Sequence, residues 1–395
     1  MSEETKATFL RQSGWIALAT GIGGAAAYAV HLFAKEMPKA EYGVFGAMLQ
    51  FINLLAIPGI GLQTVFAQKF ATVDPGSDAE DDAHRERAAV MTLWSLVWLV
   101  LLVVALATSG WWVEKFQLGS TSILLLGVAT GLFALILPLE YGVQQGRQNF
   151  FQLGWAILLV GGARFVLVPF FFAVDEPDPF WAMLAVLVGF AAAYAVASWR
   201  LPWPETGSFF EGTAELFRTT DWGDLLRRFI PLSLGGGAII FMMSVDMVIV
   251  QRHFPAEQTG LYVAAGMIGR ALIFLVGPIV AVMFPKIVRA HAEKKPTDIL
   301  NFTLALTAVL CLIAGALGMA VPEWPLRIIY DESYLAVAPL VSWFIWAMVP
   351  LALSAVLVNS LLAQRKFSVV YALAGVCLVY AIGLWVVSVR LAKTT

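Results

Sequence analysis

Two charged side chains, Asp246 and Arg270, interrupt long apolar segments and could act on a charged ligand. The first lies in "FIPLSLGGGAIIFMMSVDMVIVQ" and the second in "TGLYVAAGMIGRALIFLVGPIVAVMFPKIVRA". A charge near a bilayer centre costs about 2.5–3.5 kcal/mol on insertion scales, so such residues rarely face lipid. A guanidinium matches phosphate oxygens with two parallel hydrogen bonds. Arg270 therefore predicts an anion site inside the membrane, unless it serves only as a structural partner of Asp246 or of backbone carbonyls.

The depth of these charges follows from helix geometry. Arg270 comes ten residues after Gly260, which is about 15 Å along a helix and half of a hydrocarbon core. Asp246 lies six residues from the outer end of its segment. Three roles stay open for this carboxylate: pairing with Arg270, binding a coupling cation, and reaching interfacial water.

A cavity between helices needs further polar lining groups. Arg164 lies in the middle of another apolar segment, in "GGARFVLV"; its small neighbours allow close helix packing, so a buried structural role and a ligand role are both open. We predict that four amide side chains also line the cavity: Asn53, Gln63, Gln144 and Asn359. Glu140 is expected to form an interfacial pair with Arg147, and His31 to be solvated near the outer interface.

Composition places the chain in the membrane. Of its 395 residues, 60% are hydrophobic and 13% are charged, whereas soluble domains carry about 25% charged residues. The net charge of −2 gives no basic field for nucleic acid. The sequence contains no HExxH, GxSxG or phosphate-loop motif, so we expect neither an enzyme nor a cofactor. The two cysteines, Cys311 and Cys377, lie in apolar runs and are expected to be buried thiols.

Hydrophobic runs predict eleven membrane-spanning helices and an all-α fold. The predicted spans are 13–34, 42–70, 89–109, 120–145, 150–173, 179–199, 229–252, 260–290, 299–321, 335–362 and 367–390. Prolines inside several spans predict kinks: Pro58, Pro138, Pro278, Pro285 and Pro350. The acidic stretch "DPGSDAEDDAHRER" between the second and third spans is predicted to be an exposed loop.

The distribution of basic residues predicts the orientation. Of the 25 Lys and Arg residues, Arg164 and Arg270 lie within spans, seven fall on one side and the other sixteen share the side of the N-terminus. Because positive residues concentrate on the cytoplasmic face, the N-terminus is predicted to be cytosolic.

The spans divide into two related halves. We predict an N-terminal six-helix bundle over 1–200, a cytosolic amphipathic linker over 201–228 and a C-terminal bundle over 229–395 with five visible helices. "EYGVFGA" from Glu41 matches "QTGLYVAAG" from Gln258, and this register places Asn53 opposite Arg270. Such a repeat predicts two bundles related by a pseudo-twofold axis along the membrane normal, with a polar cavity near the midplane.

Two stretches resemble a known family. "AEYGVFGAMLQFINLLAIPGIGLQTVFAQKFA" and "DMVIVQRHFPAEQTGLYVAAGMIGRALIFLVGPIVAVMFPKI" are similar to the polysaccharide-export branch, with its Wzx-like oligosaccharide flippases, of the multidrug/oligosaccharidyl-lipid/polysaccharide (MOP) transporter superfamily. Related branches hold lipid II flippases and MATE drug exporters. The resemblance implies two six-helix bundles, alternating access and movement of a polyprenyl-diphosphate-linked glycan. The second half of this chain has one helix fewer.

The expected function is therefore a flippase for a lipid-linked saccharide in the bacterial inner membrane. Its partners would be that substrate, the lipid bilayer, and a glycan polymerase or glycosyltransferases. Arg270, with Arg164, would grip the diphosphate, the amide side chains would bind sugar hydroxyls, and Asp246 would couple an ion. Two alternatives are a cation-coupled MATE-like exporter of small organic molecules and a non-transporting scaffold of a glycan-assembly complex.

Overall fold

The computed structural model describes residues 3–202, 217–292, 298–364, 366 and 368–393. Within these ranges every regular element is helical. The helices of the first part of the chain are α1 Glu3–Ala29, α2 His31–Ala34, α3 Lys39–Leu55, α4 Ile57–Phe70, α5 Asp78–Ala107, α6 Ser109–Lys115, α7 Thr121–Gly146, α8 Phe150–Val174 and α9 Pro179–Ala197. They are followed by α10 Trp222–His253, α11 Ala256–Ala292, α12 Ile299–Ala320, α13 Glu323–Ile329, the 3-10 helix η1 Glu332–Val337, α14 Ala338–Ala363 and α15 Ser368–Leu391.

The predicted spans are present as helices. Among the described residues, ten helices are long and apolar enough to cross a membrane, and a bent pair raises the number to eleven. That pair is α3 and α4, which meet at a bend of 41°. Pro58 lies in the first turn of α4, where its ring is tolerated and cannot continue the preceding helix. The kink predicted at Pro58 is therefore confirmed, and the protein is a multi-pass membrane protein with an all-α fold.

The helices group into two compact units. Unit 1 comprises Met1–Val30 and Leu55–Ser233, and unit 2 comprises His31–Leu54 and Leu234–Thr395. Unit 2 thus takes α3 from the N-terminal part of the chain. The domain boundaries at 200 and 229 stay a prediction. Most of the predicted amphipathic linker, residues 203–216, lies outside the described residues, and its last residues belong to the first turns of α10.

Unit 1 is built on the close approach of α4 and α7. A Cβ added to Gly59 would stand 2.6 Å from Pro138, and one added to Gly142 would stand 2.4 Å from the carbonyl oxygen of Gln63. Lipid tails are as apolar as the side chains, so helices in a membrane associate through such close packing rather than through the hydrophobic effect. Leu62, Phe66, Leu139 and Val143 fill the core between the two helices.

In unit 2, α3 packs against α11 at positions that the internal repeat pairs with one another. A Cβ at Gly43 would stand 2.8 Å from the backbone nitrogen of Gly260, and a Cβ at Gly46 would stand 2.4 Å from Val263. A twofold axis would bring such equivalent positions together, and the internal repeat stays a prediction. The contacts explain why α3 belongs to unit 2.

Residues 78–87 of the acidic segment belong to α5, so the prediction of an exposed loop is wrong for them, whereas residues 74–77 form a turn outside the helix. Ser77 caps α5 by accepting a hydrogen bond from the Glu80 backbone nitrogen. The sequence "SDAE" is a capping box, a signal for a helix start that outweighs the polar composition of the segment. The first turns of α5 then bury His84 and Arg87 at 4% and 2% exposure.

Candidate functional site

Arg270 and Asp246 form a buried ion pair between α11 and α10 in unit 2. The Nη2 atom of Arg270 donates to Oδ1 of Asp246 at 2.8 Å and to Oδ2 at 2.6 Å. Its Nε atom donates to the carbonyl oxygen of Met243 at 2.7 Å. Arg270 is 2% exposed and Asp246 is 5% exposed. Of the roles left open for Asp246, pairing with Arg270 is the one that this structure displays.

Aromatic side chains surround the pair. The Tyr262 hydroxyl donates to Oδ2 of Asp246 at 2.8 Å. The Phe344 ring of α14 lies below the guanidinium, with 5.5 Å between Cζ of Arg270 and the ring centroid, and it meets Tyr262 edge-on at 4.9 Å. Such a ring attracts a cation through its quadrupole, most strongly where water is excluded. Tyr262 and Phe344 therefore pack against the buried pair and help to hold its two charges in place.

One nitrogen of the guanidinium is left unused. Nη1 of Arg270 is buried and has no hydrogen-bond partner among the described residues. It lies against Gly266, one turn earlier on α11, where a Cβ would stand 2.3 Å from it. An unpaired buried donor costs about 1–3 kcal/mol. The site thus contains a cationic donor that the described protein groups do not satisfy, and phosphate or carboxylate oxygens are the acceptors that suit it best.

Hydrogen bonds link polar side chains of α3 and α10, and one of these residues lies close to Asp246 in the sequence. Ser244, two residues before Asp246, donates to Oε1 of Gln50 at 2.8 Å. The predicted site residue Asn53 is exposed and donates to the same oxygen at 3.2 Å. Gln50, Ser244 and Tyr262 were not predicted as site residues. The alignment of the two motifs places Asn53 opposite Arg270. Gln50 lies one turn before Asn53 on α3, so the same alignment could have indicated it as a site residue.

Arg164 is a second guanidinium within a span, on α8 of unit 1. Its Nε atom donates to the carbonyl oxygen of Val160 at 2.9 Å, and its Cζ atom lies 5.9 Å from the centroid of the Phe190 ring. The side chain is half-buried. Arg164 is thus held by backbone and ring, and its role as a ligand stays a prediction.

The other predicted amides make internal contacts in the described structure. Gln63 donates to Oε1 of Gln145 at 3.4 Å. Gln144 is 1% exposed and donates to the Ala197 carbonyl oxygen at 2.6 Å. Asn359 donates to the Ala355 carbonyl oxygen at 2.9 Å. Gln63 and Gln144 belong to unit 1 and Asn359 to unit 2, so the structure brings Asn53, Asp246, Arg270 and Asn359 into one unit.

Two expectations about polar residues are wrong. Glu140 does not pair with Arg147: it accepts from Nη2 of Arg87 at 2.6 Å, with the two side chains 0% and 3% exposed. Arg147 pairs with Glu80 instead. His31 is not solvated: it is 2% exposed, and its Nδ1 atom lies 2.8 Å from the Tyr42 hydroxyl. Sequence position alone does not reveal which helices become neighbours, and these pairings depend on that.

The part of the chain that the structure describes contains no group of three or more His, Cys, Asp or Glu side chains that could hold a metal ion. Both cysteines are buried free thiols, as predicted.

Comparison with known proteins identifies the fold. No family model matches the chain, and no curated protein matches it by sequence. The lipid II flippase MurJ in an inward closed conformation matches with a TM-score of 0.67 and 14% identity, covering 98% of this chain and 88% of that chain. An inward-facing multidrug resistance MATE family transporter of the MOP superfamily matches with a TM-score of 0.63 and 14% identity, covering 94% and 96%.

A third structure broadens this comparison. A MOP superfamily transporter from Pyrococcus furiosus, in which the reverse polarity of the binding pocket suggests a different function, matches with a TM-score of 0.51 and 15% identity, covering 98% and 94%. All three proteins are transporters or flippases and not enzymes. At these identities the likeness establishes architecture and not substrate. The chain thus has the all-helical MATE/MOP-type fold that the resemblance implied.

Proposed function

We propose that this protein is a flippase that moves a polyprenyl-diphosphate-linked oligosaccharide, or a related polysaccharide precursor, across the bacterial inner membrane by alternating access. Its fold is shared with a lipid II flippase and with MATE transporters. Its sequence motifs resemble those of the polysaccharide-export branch. The charges inside the spans point to the chemistry of the substrate.

The observation that carries the proposal is the unpaired Nη1 atom of Arg270. Most buried donors in proteins have a hydrogen-bond partner, because each buried unpaired donor lowers stability. Here one edge of the guanidinium is bound to Asp246 and Met243, and Nη1 is not. A diphosphate offers several anionic oxygens in the geometry that a guanidinium recognises.

We propose that the other predicted residues also bind such a headgroup, each from within its own unit. In unit 1, Arg164 is proposed to bind phosphate oxygens. The amides of Asn53, Gln63, Gln144 and Asn359 exchange their present internal hydrogen bonds for bonds to sugar hydroxyls. The prenyl tail stays in lipid, where it is as soluble as the apolar helix faces. The sixteen basic residues assigned to the side of the N-terminus favour a cytosolic N-terminus. Glycosyltransferases would supply the substrate on the cytosolic side. A glycan polymerase would use the product on the other side of the membrane.

A cation-coupled exporter of small organic molecules is the second candidate. A carboxylate with aromatic neighbours suits an organic cation, and Asp246 has Tyr262 beside it. Asp246 is already neutralised by Arg270, however, so a cationic substrate would have to displace a guanidinium held by further contacts. The anionic substrate meets a donor that is free to bind, and this difference favours the flippase.

Transport by purified protein in vesicles tests the proposal. The substrate is a fluorescent polyprenyl-diphosphate oligosaccharide, and its appearance in the opposite leaflet is measured by enzymatic trimming of the glycan from outside. We expect Arg270→Ala to abolish this movement. Because that change leaves Asp246 as an uncompensated buried charge, a cost of about 3–5 kcal/mol, the decisive variant is Arg270→Ala combined with Asp246→Asn.

The double variant separates binding from structure. It removes both charges together and leaves no uncompensated buried charge, so it should insert and fold but not transport. Arg327→Ala is the matched control, because Arg327 is exposed and pairs with Glu323 within one helical turn; it should transport like the wild type. Full transport by the double variant would refute the role of Arg270. Gradient-driven export of an organic cation by the wild type, without movement of the lipid-linked glycan, would establish the exporter instead.

A further inference from the structure

We propose that Gln50 and Ser244 form an internal docking site for the side chain of Asn53, and that this docking site sets how tightly unit 2 binds the sugar attached to the diphosphate. The inference rests on the proposed function, because it names the residues that control one contact of the same substrate. It starts from a carbonyl oxygen that accepts two hydrogen bonds.

The side-chain carbonyl of Gln50 holds Ser244 and Asn53 at the same atom. Oε1 of Gln50 accepts from Oγ of Ser244 at 2.8 Å and from Nδ2 of Asn53 at 3.2 Å. Gln50 and Ser244 are 6% and 1% exposed, whereas Asn53, one turn after Gln50 on α3, is exposed. All three residues belong to unit 2. The docking site is therefore buried, and the side chain that it holds is accessible to a ligand.

Asn53 keeps hydrogen-bonding groups for such a ligand. Its side chain has one acceptor oxygen and two N–H donors, and among the described residues this side chain makes one hydrogen bond, to Gln50. An amide without partners is costly in hydrocarbon, so its exposed groups suit water or a polar ligand. The hydroxyls of a sugar both donate and accept, which matches the amide. A diphosphate only accepts, and a guanidinium suits it better.

The docking site adjoins the guanidinium of Arg270 through consecutive residues of α10. Met243 accepts the Nε bond of Arg270 through its backbone carbonyl oxygen, and Ser244, the next residue, donates to Gln50. The same turn of α10 thus positions both the phosphate-binding group and the docking site. The sugar that Asn53 binds is therefore the one bonded directly to the diphosphate.

Ser244 lowers the cost of releasing Asn53. A buried acceptor that loses its donor carries the full penalty of its desolvation. When Asn53 leaves to bind a sugar hydroxyl, Oε1 of Gln50 still accepts from Ser244, so this oxygen is not left unpaired. Without the hydroxyl of Ser244, Asn53 would be the remaining described donor to that oxygen. Gln50 thus competes with the sugar for Asn53, and Ser244 weakens that competition.

Substitutions of the two docking residues should have opposite effects on sugar binding. Gln50→Met removes the competing acceptor and should strengthen it; the hydroxyl of Ser244 can then donate to a backbone carbonyl of its own helix. Ser244→Ala leaves Gln50 dependent on Asn53 and should weaken sugar binding. One hydrogen bond changes an affinity about two- to tenfold, and we expect changes of that size. Residues that only join α3 to α10 would alter stability and not sugar binding.

Calorimetric titration of the purified full-length protein with two probes tests the inference. The first probe is farnesyl diphosphate, and the second is farnesyl diphosphate with glucose on its terminal phosphate. We define the sugar gain as the affinity for the second probe divided by the affinity for the first. The contact of the diphosphate with Arg270 is common to both probes and cancels in this ratio. We expect the wild type to bind both probes with a sugar gain above one.

Substitution of Asn53 shows whether the docking site acts through this residue. Asn53→Ala should lower the sugar gain about two- to tenfold. Adding Gln50→Met or Ser244→Ala to Asn53→Ala should change the gain no further, because residues that act through one another are not additive. Gln364→Met is the matched control: it removes another Gln–Ser hydrogen bond, that between Gln364 and Ser360, and should keep the wild-type gain.

The outcomes separate the inference from the proposed function. A wild type that binds neither probe, or that shows no sugar gain, refutes the proposed function and the inference with it. Where the wild type shows a gain, the inference alone is overturned if folded Gln50→Met does not raise it or Ser244→Ala does not lower it. If Gln50→Met does not fold, Ser244→Ala decides: a loss that requires Asn53 supports the inference, and an equal loss in the Asn53→Ala background overturns it.

Discussion

Gly266 leaves the space that the guanidinium of Arg270 occupies. The two residues lie one turn apart on α11, and a Cβ at position 266 would stand 2.3 Å from Nη1 of Arg270. Real Cβ atoms do not approach so closely, so any larger residue at 266 would push the guanidinium away. The position of the buried cation thus depends on a residue that carries no charge.

Gly266→Ala should therefore weaken transport without altering any charge. The added methyl group displaces Nη1 and disturbs the contacts of Nη2 with Asp246, each worth about 1.5–3 kcal/mol for a charged hydrogen bond. We expect glycan movement to fall about tenfold or more, as measured in the vesicle assay. The matched control is Gly277→Ala on the same helix, where a Cβ would meet nothing within 4 Å. Equal transport by the two variants would show that the position of Nη1 does not matter.

Tyr262→Phe tests the support that Asp246 receives. The substitution keeps the ring against Phe344 and removes one hydrogen bond to a buried carboxylate, so the free energy of unfolding should fall by about 1–3 kcal/mol. Chemical unfolding in detergent measures this change. Tyr371→Phe removes a hydroxyl from a side chain that is 60% exposed and should leave stability unchanged. An unchanged free energy of unfolding in Tyr262→Phe would show that the hydrogen bond from Tyr262 to Asp246 does not stabilise the protein.

The membrane-spanning architecture could be predicted because hydropathy reports what each helix faces. The apolar runs that mark spans are those that cover lipid-facing surface, such as the exposed Leu378, Val379 and Ile382 of α15. The bend between α3 and α4 was also predictable, since proline restricts its own backbone and removes a donor whatever its neighbours are. These properties are local, and a single sequence contains them.

The partners of buried charges could not be predicted in the same way. Arg147 lies seven residues from Glu140 and was chosen as its partner by proximity, yet Arg87 of another helix binds this carboxylate. For Arg270 the correct partner, Asp246, was among the alternatives because the spans that carry them are consecutive. Pairing across helices depends on which faces meet, and hydropathy does not contain that information. The capping box at Ser77 was a local signal that could have been used.

Removal of one partner of the buried Arg87–Glu140 ion pair should strongly destabilise unit 1. Arg87 contacts both oxygens of Glu140 and also donates to the carbonyl oxygen of Pro202 at 3.0 Å. Truncation by Arg87→Ala leaves a buried carboxylate unpaired and should lower the free energy of unfolding by about 3–5 kcal/mol. Arg327→Ala, which breaks an exposed pair, should change it by less than about 1 kcal/mol.

A double variant checks the cause of that loss. Arg87→Met with Glu140→Gln removes both charges and should recover most of the stability, because the unpaired charge and not the missing contact dominates the cost. Unfolding midpoints in detergent distinguish these outcomes. A double variant as unstable as Arg87→Ala would assign the loss to packing around the arginine stem instead.

Gly260→Ala should damage unit 2 more than Gly266→Ala. A Cβ there would stand 1.8 Å from the carbonyl oxygen of Lys39, which is backbone and cannot rotate away. Separation of α3 from α11 would weaken their packing along the whole contact. Overpacking of this kind lowers the free energy of unfolding by about 1–3 kcal/mol. Gly383→Ala on α15, where a Cβ meets nothing within 4 Å, controls for the gain of about 1 kcal/mol that alanine brings to a helix.

Thermal unfolding measures the two effects. The unfolding temperature of Gly260→Ala should lie below that of the wild type, and that of Gly383→Ala should lie at or above it. If both variants unfolded at the wild-type temperature, the contact between the repeat-equivalent glycines would not hold α3 against α11.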